Sequence, residues 1–181
     1  MIKQGASHSD LDWFIEHNTE LQFVGINLYP MFSRKILSRT AGRLRMRMPY
    51  SSANIVEQLG DLYWDRYQIP LFIAETASVG SVKRRRQWLA QSVEAVQRLR
   101  VRGVPMVGYT WWPLFALVTW GYRQGTRPPE FYLKQMGLWD FDSQLNRVET
   151  DLVPAYRELV ANGSESVAPL AQHDERIVHV S

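Results

Sequence analysis

Three short apolar runs punctuate this chain: Gln22 to Tyr29 (QFVGINLY), Ile69 to Glu75 (IPLFIAE) and Val104 to Trp112 (VPMVGYTWW). Apolar runs of this length, bounded by turn residues, predict strands buried on both faces, as in parallel sheets. The spacing between them is helical. Ile55, Leu59, Leu62 and Tyr63 share one face, as do Leu89, Val93, Val96 and Leu99. This predicts helices over 53–67 and 81–102. Asn54, with Glu57 three residues on, reads as the cap of the first, and Ser81 can cap the second. A short helix is expected over 10–17, capped by Ser9 or Asp10, with Leu11, Phe14 and Ile15 on one face. A last helix over 151–161 would bury Leu152, Ala155, Tyr156 and Leu159 and stop at Asn162-Gly163.

The segments between carry weaker signals. Residues 31–52 show no clear period and read as a long excursion over the sheet end. Residues 113–129 read as an aromatic loop, and 137–142 can pair with 144–148 as a small hairpin. The polar end of the chain shows no pattern and is expected to be disordered. The order strand, helix, strand, helix, strand gives parallel βα units and an α/β class. Three parallel strands are too few for a doubly wound sheet with its own core, but enough for the last part of a barrel. The expected organisation is a partial (β/α)8-barrel domain over 1–162 and a disordered tail over 163–181.

Composition narrows the chemistry. The 181 residues are 45% hydrophobic and 22% charged, which suits one globular domain or a piece of one. There is no Cys, and the four His show no ligand spacing, so neither a disulfide framework nor a metal site is expected. No phosphate loop or dinucleotide fingerprint is present, and no cofactor is expected. The net charge of +3 is spread over helix faces and loops, which argues against a nucleic-acid footprint. The run Lys83-Arg84-Arg85-Arg86 opens a helix, the wrong end for its dipole. It reads as a basic surface patch or a partner-binding patch. No apolar run is long enough to cross a membrane and no signal-peptide core is seen, so a cytoplasmic protein is the default expectation. A shortened N-terminus would hide a signal. Aromatics are abundant at 12%, with seven Trp and eight Tyr. Most serve packing, but Trp and Tyr also make flat surfaces for sugars.

Glu75 stands where the second apolar run leaves the sheet. A carboxylate there is costly to desolvate unless it is paired or used. It either closes a salt bridge with an Arg or acts at the C-terminal end of a barrel strand, where catalytic groups sit. Trp111 and Trp112 alternate across a strand, so one must face away from the barrel interior. Trp111 is assigned to the helix side. Tyr29 before Pro30 could cap a strand, and Asn27 could form a turn, although it stands inside a strand.

Four motifs in series resemble family 1 glycoside hydrolases and the wider clan of retaining (β/α)8-barrel glycosidases. Phe23-Val-Gly-Ile-Asn-Leu-Tyr29 is similar to the family's strand-six pattern G-x-N-x-Y, and Phe72-Ile-Ala-Glu-Thr-Ala77 to its strand seven with T-E-N-G. Gly108 to Trp120 (GYTWWPLFALVTW) resembles strand eight, G-Y-x-x-W-S-L-x-D-N-x-E-W, without a gap. Gly137-Leu-Trp-Asp-Phe-Asp142, Arg147 and a closing helix resemble the family's last segment. The resemblance spans roughly residues 10–162 and implies strands six to eight of a TIM barrel. It implies a β-glycoside substrate, with Glu75 as nucleophile, Tyr29 holding it by a hydrogen bond and Asn27 near the same cleft. Trp112 would form the floor under the sugar and Trp120 a further wall. The Trp112–Pro113 bond is expected to be cis, because the family has a cis bond at that junction.

The departures bear on substrate. Thr76-Ala77 replace Asn-Gly, Pro113 replaces Ser, and Ala116, Leu117 and Thr119 replace the Asp, Asn and sugar-binding Glu. A retaining glycosidase also needs a second carboxyl about 5–5.5 Å from the nucleophile. The clan carries it in an N-E motif after strand four, which this chain lacks. Two readings therefore stand. The chain is a nucleophile-bearing fragment that does not turn over ordinary glycosides alone, or an inactive carbohydrate- or partner-binding relative. The sugar, the linkage and the oligomeric state are not set by the sequence.

Overall fold

A computed structural model gives the fold, and the structure describes residues 2–163. The tail expected to be disordered lies outside the described residues, save Gly163. The central element is a parallel sheet of three strands, β1 (Val24–Leu28), β4 (Leu71–Thr76) and β5 (Met106–Trp111), in the order β1-β4-β5. Helix α2 (Asn54–Tyr67) connects β1 to β4, and α3 (Val82–Val101) connects β4 to β5. The three strands and two helices agree with the apolar pattern. Among the described residues the sheet is open at both edges and does not close into a barrel.

Alternation along the strands divides the sheet into two faces. Ile26, Leu28, Leu71, Ile73 and Met106 are buried against Val56 of α2 and Trp88, Leu89, Val96 and Leu99 of α3. That face holds the core. The opposite face carries Gly25, Asn27, Phe72, Ala74, Gly108 and Thr110, of which none is fully buried. The two helices approach closely at Gly60, where a Cβ would lie 2.5 Å from a methyl of Leu99. Outside the core, Glu57 accepts from Arg98 at 2.9 Å and from Arg102 at 2.7 Å, and Arg102 also reaches Asp61.

Helix ends depart from the sequence reading in ways hydrogen bonds explain. Helix α1 (His8–Glu16) is capped by Ser7, not by Ser9 or Asp10. Asp10 N donates to Ser7 Oγ at 3.0 Å, and Ser7 N donates to an Asp10 oxygen at 2.8 Å. This reciprocal box satisfies two orphan donors at once. Phe14 and Ile15, expected on a packed face, are exposed. Asn54 is the first helical residue of α2 rather than its cap, and Ala53 holds the cap position without a side-chain bond. Ser81 does cap α3, with Arg84 N donating to its Oγ at 3.3 Å. Helix α4 (Leu152–Gly163) runs through the expected Asn162-Gly163 stop to the last described residue.

The largest correction lies between β1 and α2. The stretch read as patternless contains a hairpin of β2 (Ile36–Thr40) and β3 (Arg43–Arg47). Ala41 and Gly42 form its two-residue loop, with φ of 51° and 75°. Positive φ at both positions matches the twist of the flanking strands. The overlooked signal was the period-two alternation Arg43-Leu-Arg-Met-Arg47. The segment 113–129 also holds structure: β6 (Leu117–Val118) pairs with β7 (Leu133–Lys134). The expected small hairpin forms between β8 (Trp139–Phe141) and β9 (Arg147–Glu149).

The basic run at the start of α3 is not all surface. Arg85 is 1% exposed. It donates to both carboxylate oxygens of Asp140 and to Gly137 O, each at 2.7 Å. It thereby pins the segment after β7 to α3, a tertiary pairing invisible in a run of like charges. Breaking such a pair strands a buried charge, which costs about 3–5 kcal/mol. Asp140→Ala should lower stability by about that amount in urea unfolding. Arg85→Met should cost less, because Asp140 retains 20% exposure and can be solvated.

Candidate active site

Glu75 owes its direction to one extra residue in β4. Leu71 and Ile73 point into the helix-facing core, so a regular strand would send residue 75 the same way. The pairing with β1 runs Ile26 to Ile73 and then Asn27 to Glu75, which leaves Ala74 without an opposite residue. The irregularity recurs against β5, where Ile73 pairs with Tyr109 and Thr76 with Trp111. A bulge re-aims the side chains beyond it. Thr76 consequently takes the buried side, and Glu75 faces the cleft.

Thr76 ties the three strand ends together. Its hydroxyl donates to Leu28 O of β1 at 2.6 Å and accepts from Trp88 Nε1 of α3 at 2.9 Å. Its carbonyl accepts from Trp112 N at 2.9 Å. Glu75 precedes this knot, Tyr29 follows Leu28, and Trp112 follows β5. Their side chains therefore emerge at one end of the sheet. Tyr29 Oη donates to Glu75 Oε2 at 2.8 Å. The Tyr29 and Trp112 rings stand edge to face, 6.3 Å between centroids. The Trp112–Pro113 bond is cis, as expected. Trp111 turns the other way, into the core, and its Nε1 donates to Met136 O at 3.1 Å.

A cleft of about 740 Å³ opens over these residues. Trp120 stands on its rim, 67% exposed, with the Arg123 guanidinium 4.6 Å from its ring centre. Asn27 does not join them. It is exposed on the open sheet face beside Glu75 in register, and it does not line the cleft. Several lining residues had no signature in the sequence: Phe32, Tyr50, Arg84, Lys134 and Met136. Phe32, Tyr50 and Met136 arrive from separate loops, Arg84 from the first turn of α3 and Lys134 from β7. Tyr50 hydrogen-bonds Ser78, and Arg84 packs over the Tyr50 ring. Among the lining residues Glu75 is the one carboxylate, and among the described residues no group of His, Asp and Glu could hold a metal ion. Among those residues no helix is long and apolar enough to cross a membrane.

The Tyr29 hydroxyl is held protonated. Burial raises its pKa most, and the hydrogen bond to Glu75 and its charge raise it further. Ionising the phenol would place a second negative charge against the carboxylate. Tyr29 thus stays a donor beyond the pH at which an ordinary tyrosine ionises.

Two measurements follow from this geometry. In a tyrosinate absorbance titration, Tyr29 should ionise later than an ordinary tyrosine, and Tyr29→Phe should remove one residue from the late phase. Thr76→Val removes the hydroxyl and leaves Leu28 O and Trp88 Nε1 unpartnered, at about 1–3 kcal/mol for each buried group. Thr76→Ser should retain most of that stability in the same unfolding assay.

The comparisons with known proteins concern the fold. No protein family matches the chain by sequence, and no curated protein does. Solved structures do match. A family 1 β-glucosidase from Thermotoga maritima superposes with a TM-score of 0.69 at 18% identity, covering 88% of this chain. A β-glucosidase from Exiguobacterium marinum gives a TM-score of 0.66 at 21% identity over 87%. The family 1 β-glucosidase from Exiguobacterium antarcticum gives 0.66 at 20% identity over 90%. The match takes in 39%, 38% and 39% of those chains, respectively. This α/β fold is therefore similar to part of the family 1 β-glucosidase structure.

Proposed function

We propose that this chain is the nucleophile-bearing, C-terminal portion of a retaining β-glycosidase barrel, about strands six to eight. The observation that carries the proposal is the 2.8 Å hydrogen bond from Tyr29 to Glu75 at adjacent strand ends, beside Trp112. In this reading Glu75 attacks the anomeric carbon of a β-glycoside and displaces the leaving oxygen, giving a covalent glycosyl-enzyme. Water then releases the sugar with overall retention. Tyr29 orients one carboxylate oxygen and leaves the other available for attack. Trp112 offers an aromatic face to the apolar side of the pyranose, and Trp120 extends that wall.

The leaving oxygen needs a proton, and among the described residues no second Asp or Glu lines the cleft. The acid/base carboxylate is assigned to polypeptide outside the described residues. The free edge of β1 and the open sheet face offer a place for it. The same lone carboxylate favours a second reading, a relative that binds carbohydrate without turnover. Thr119 in place of a sugar-gripping Glu points in that direction as well.

Leaving-group dependence separates the two. General acid catalysis contributes about 10²–10⁴-fold, so an alkyl glycoside should be nearly inert with the purified, folded chain. A dinitrophenyl glycoside leaves as a stable anion and needs no acid. Slow dinitrophenolate release, lost in Glu75→Gln, is the expected result. Equal rates in the two forms with both substrates would support the binding relative. Alkyl-glycoside hydrolysis that depends on Glu75 would show that the chain supplies its own acid.

A further inference from the structure

From Leu21 to Val56 the chain contains no acidic residue. Six cations, Arg34, Lys35, Arg39, Arg43, Arg45 and Arg47, fall in this stretch, in a chain whose net charge is only +3. The β2–β3 hairpin arranges them. Arg43, Arg45 and Arg47 stand opposite Thr40, Ser38 and Ile36, so the three arginines form a column on one face. Alternate residues on a strand are about 7 Å apart, which sets the repeat of the column. The other face pairs Leu37 with Met46 and Arg39 with Leu44. Residues 37–48 are all exposed. Among the described residues none of the hairpin arginines is ion-paired.

The hairpin rises from the wall of the cleft. Met31 and Phe32 on one side of it and Tyr50 on the other line the cavity that holds Glu75. Two further cations, Arg84 and Lys134, line the same cavity, and neither has a carboxylate partner among the described residues. Positive charge thus runs from the tip of the hairpin to the mouth of the site.

We infer that the hairpin is a binding surface for a linear acidic polysaccharide, whose anionic sugars it presents to the cleft. The choice of polymer rests on the glycosidase reading. The arginine column itself calls for regularly spaced anions, to which each guanidinium can donate paired hydrogen bonds. A nucleic acid fits less well, because no aromatic residue interleaves the cations of residues 34–47 to stack bases. A membrane also fits less well. Seating the Leu37, Leu44 and Met46 face in lipid would turn the arginine column toward water.

The test is calorimetric binding of heparin at low salt, with dextran as the uncharged control. The unmodified chain should bind heparin, more weakly as salt rises, and should not bind dextran. Arg43→Ser/Arg45→Ser/Arg47→Ser should weaken heparin binding by about tenfold or more, because three charge pairs are lost. Leu37→Ser/Leu44→Ser/Met46→Ser and Lys83→Gln/Arg86→Gln should stay within about twofold, since neither touches the column. Binding is read without turnover, so a chain that releases no dinitrophenolate yet binds heparin through the arginine column tells failure of the hydrolytic reading apart from failure of this inference. Near-UV circular dichroism checks that each variant keeps its tertiary packing. Full heparin affinity without the arginine column would overturn the inference, as would an equal loss in Lys83→Gln/Arg86→Gln. Tighter binding of polyuridylate or phosphatidylserine vesicles through the same arginines would also overturn it.

Discussion

The residue that β4 inserts at Ala74 decides which way Glu75 points. Without it Glu75 would be driven into the apolar layer beneath the sheet, where an unpaired carboxylate is expensive. With it, the buried position falls to Thr76, a side chain that can be fully satisfied there. Its hydroxyl links β1 to α3, and its carbonyl holds the chain just after β5. One small polar residue thereby fixes the relative heights of three strand ends. The Tyr29–Glu75 hydrogen bond and the Tyr29–Trp112 ring contact depend on that alignment.

The two faces of the sheet are chemically unequal. The helix side is a packed core with Leu71, Ile73 and Leu99 essentially inaccessible. The other side has Phe72 lying over Gly25, with Asn27 and Thr110 left open. A parallel sheet is ordinarily covered on both faces. Trp13, Phe14, Ile15 and Phe23 are also exposed, in α1 and just before β1. On the proposed reading these surfaces are where the remainder of a barrel sits, and Asn27 would then point into its interior. On its other side the cleft is lined by Leu117 and Lys134. The β6–β7 pair closes it there, and the Arg85–Asp140 pair anchors the segment that follows.

The legible part of this protein was its repeating part. Strands β1, β4 and β5 and helices α2 and α3 follow from apolar period and length, because burial on one or two faces imposes those periods on any sequence. The small hairpin of β8 and β9 was also visible. The placement of Tyr29, Glu75 and Trp112 at strand ends was readable for the same reason: each closes an apolar run. Asn27 shows the limit of that logic. It is also near a strand end, yet it lies one step short of the cleft.

What the sequence determined by itself was the order of elements, the class of the fold and the identity of the residues at the sheet's end. The tertiary structure alone decided the rest. The bulge at Ala74 has no local signature, since it answers to the register of two neighbouring strands. Arg85 sits in a run of four cations, and only packing against Asp140, far along the chain, separates it from its exposed neighbours. The β2–β3 hairpin had a period but no apolar core to serve, so burial could not announce it. Contacts between residues distant in sequence set these features, and their energies depend on geometry that a linear pattern does not encode.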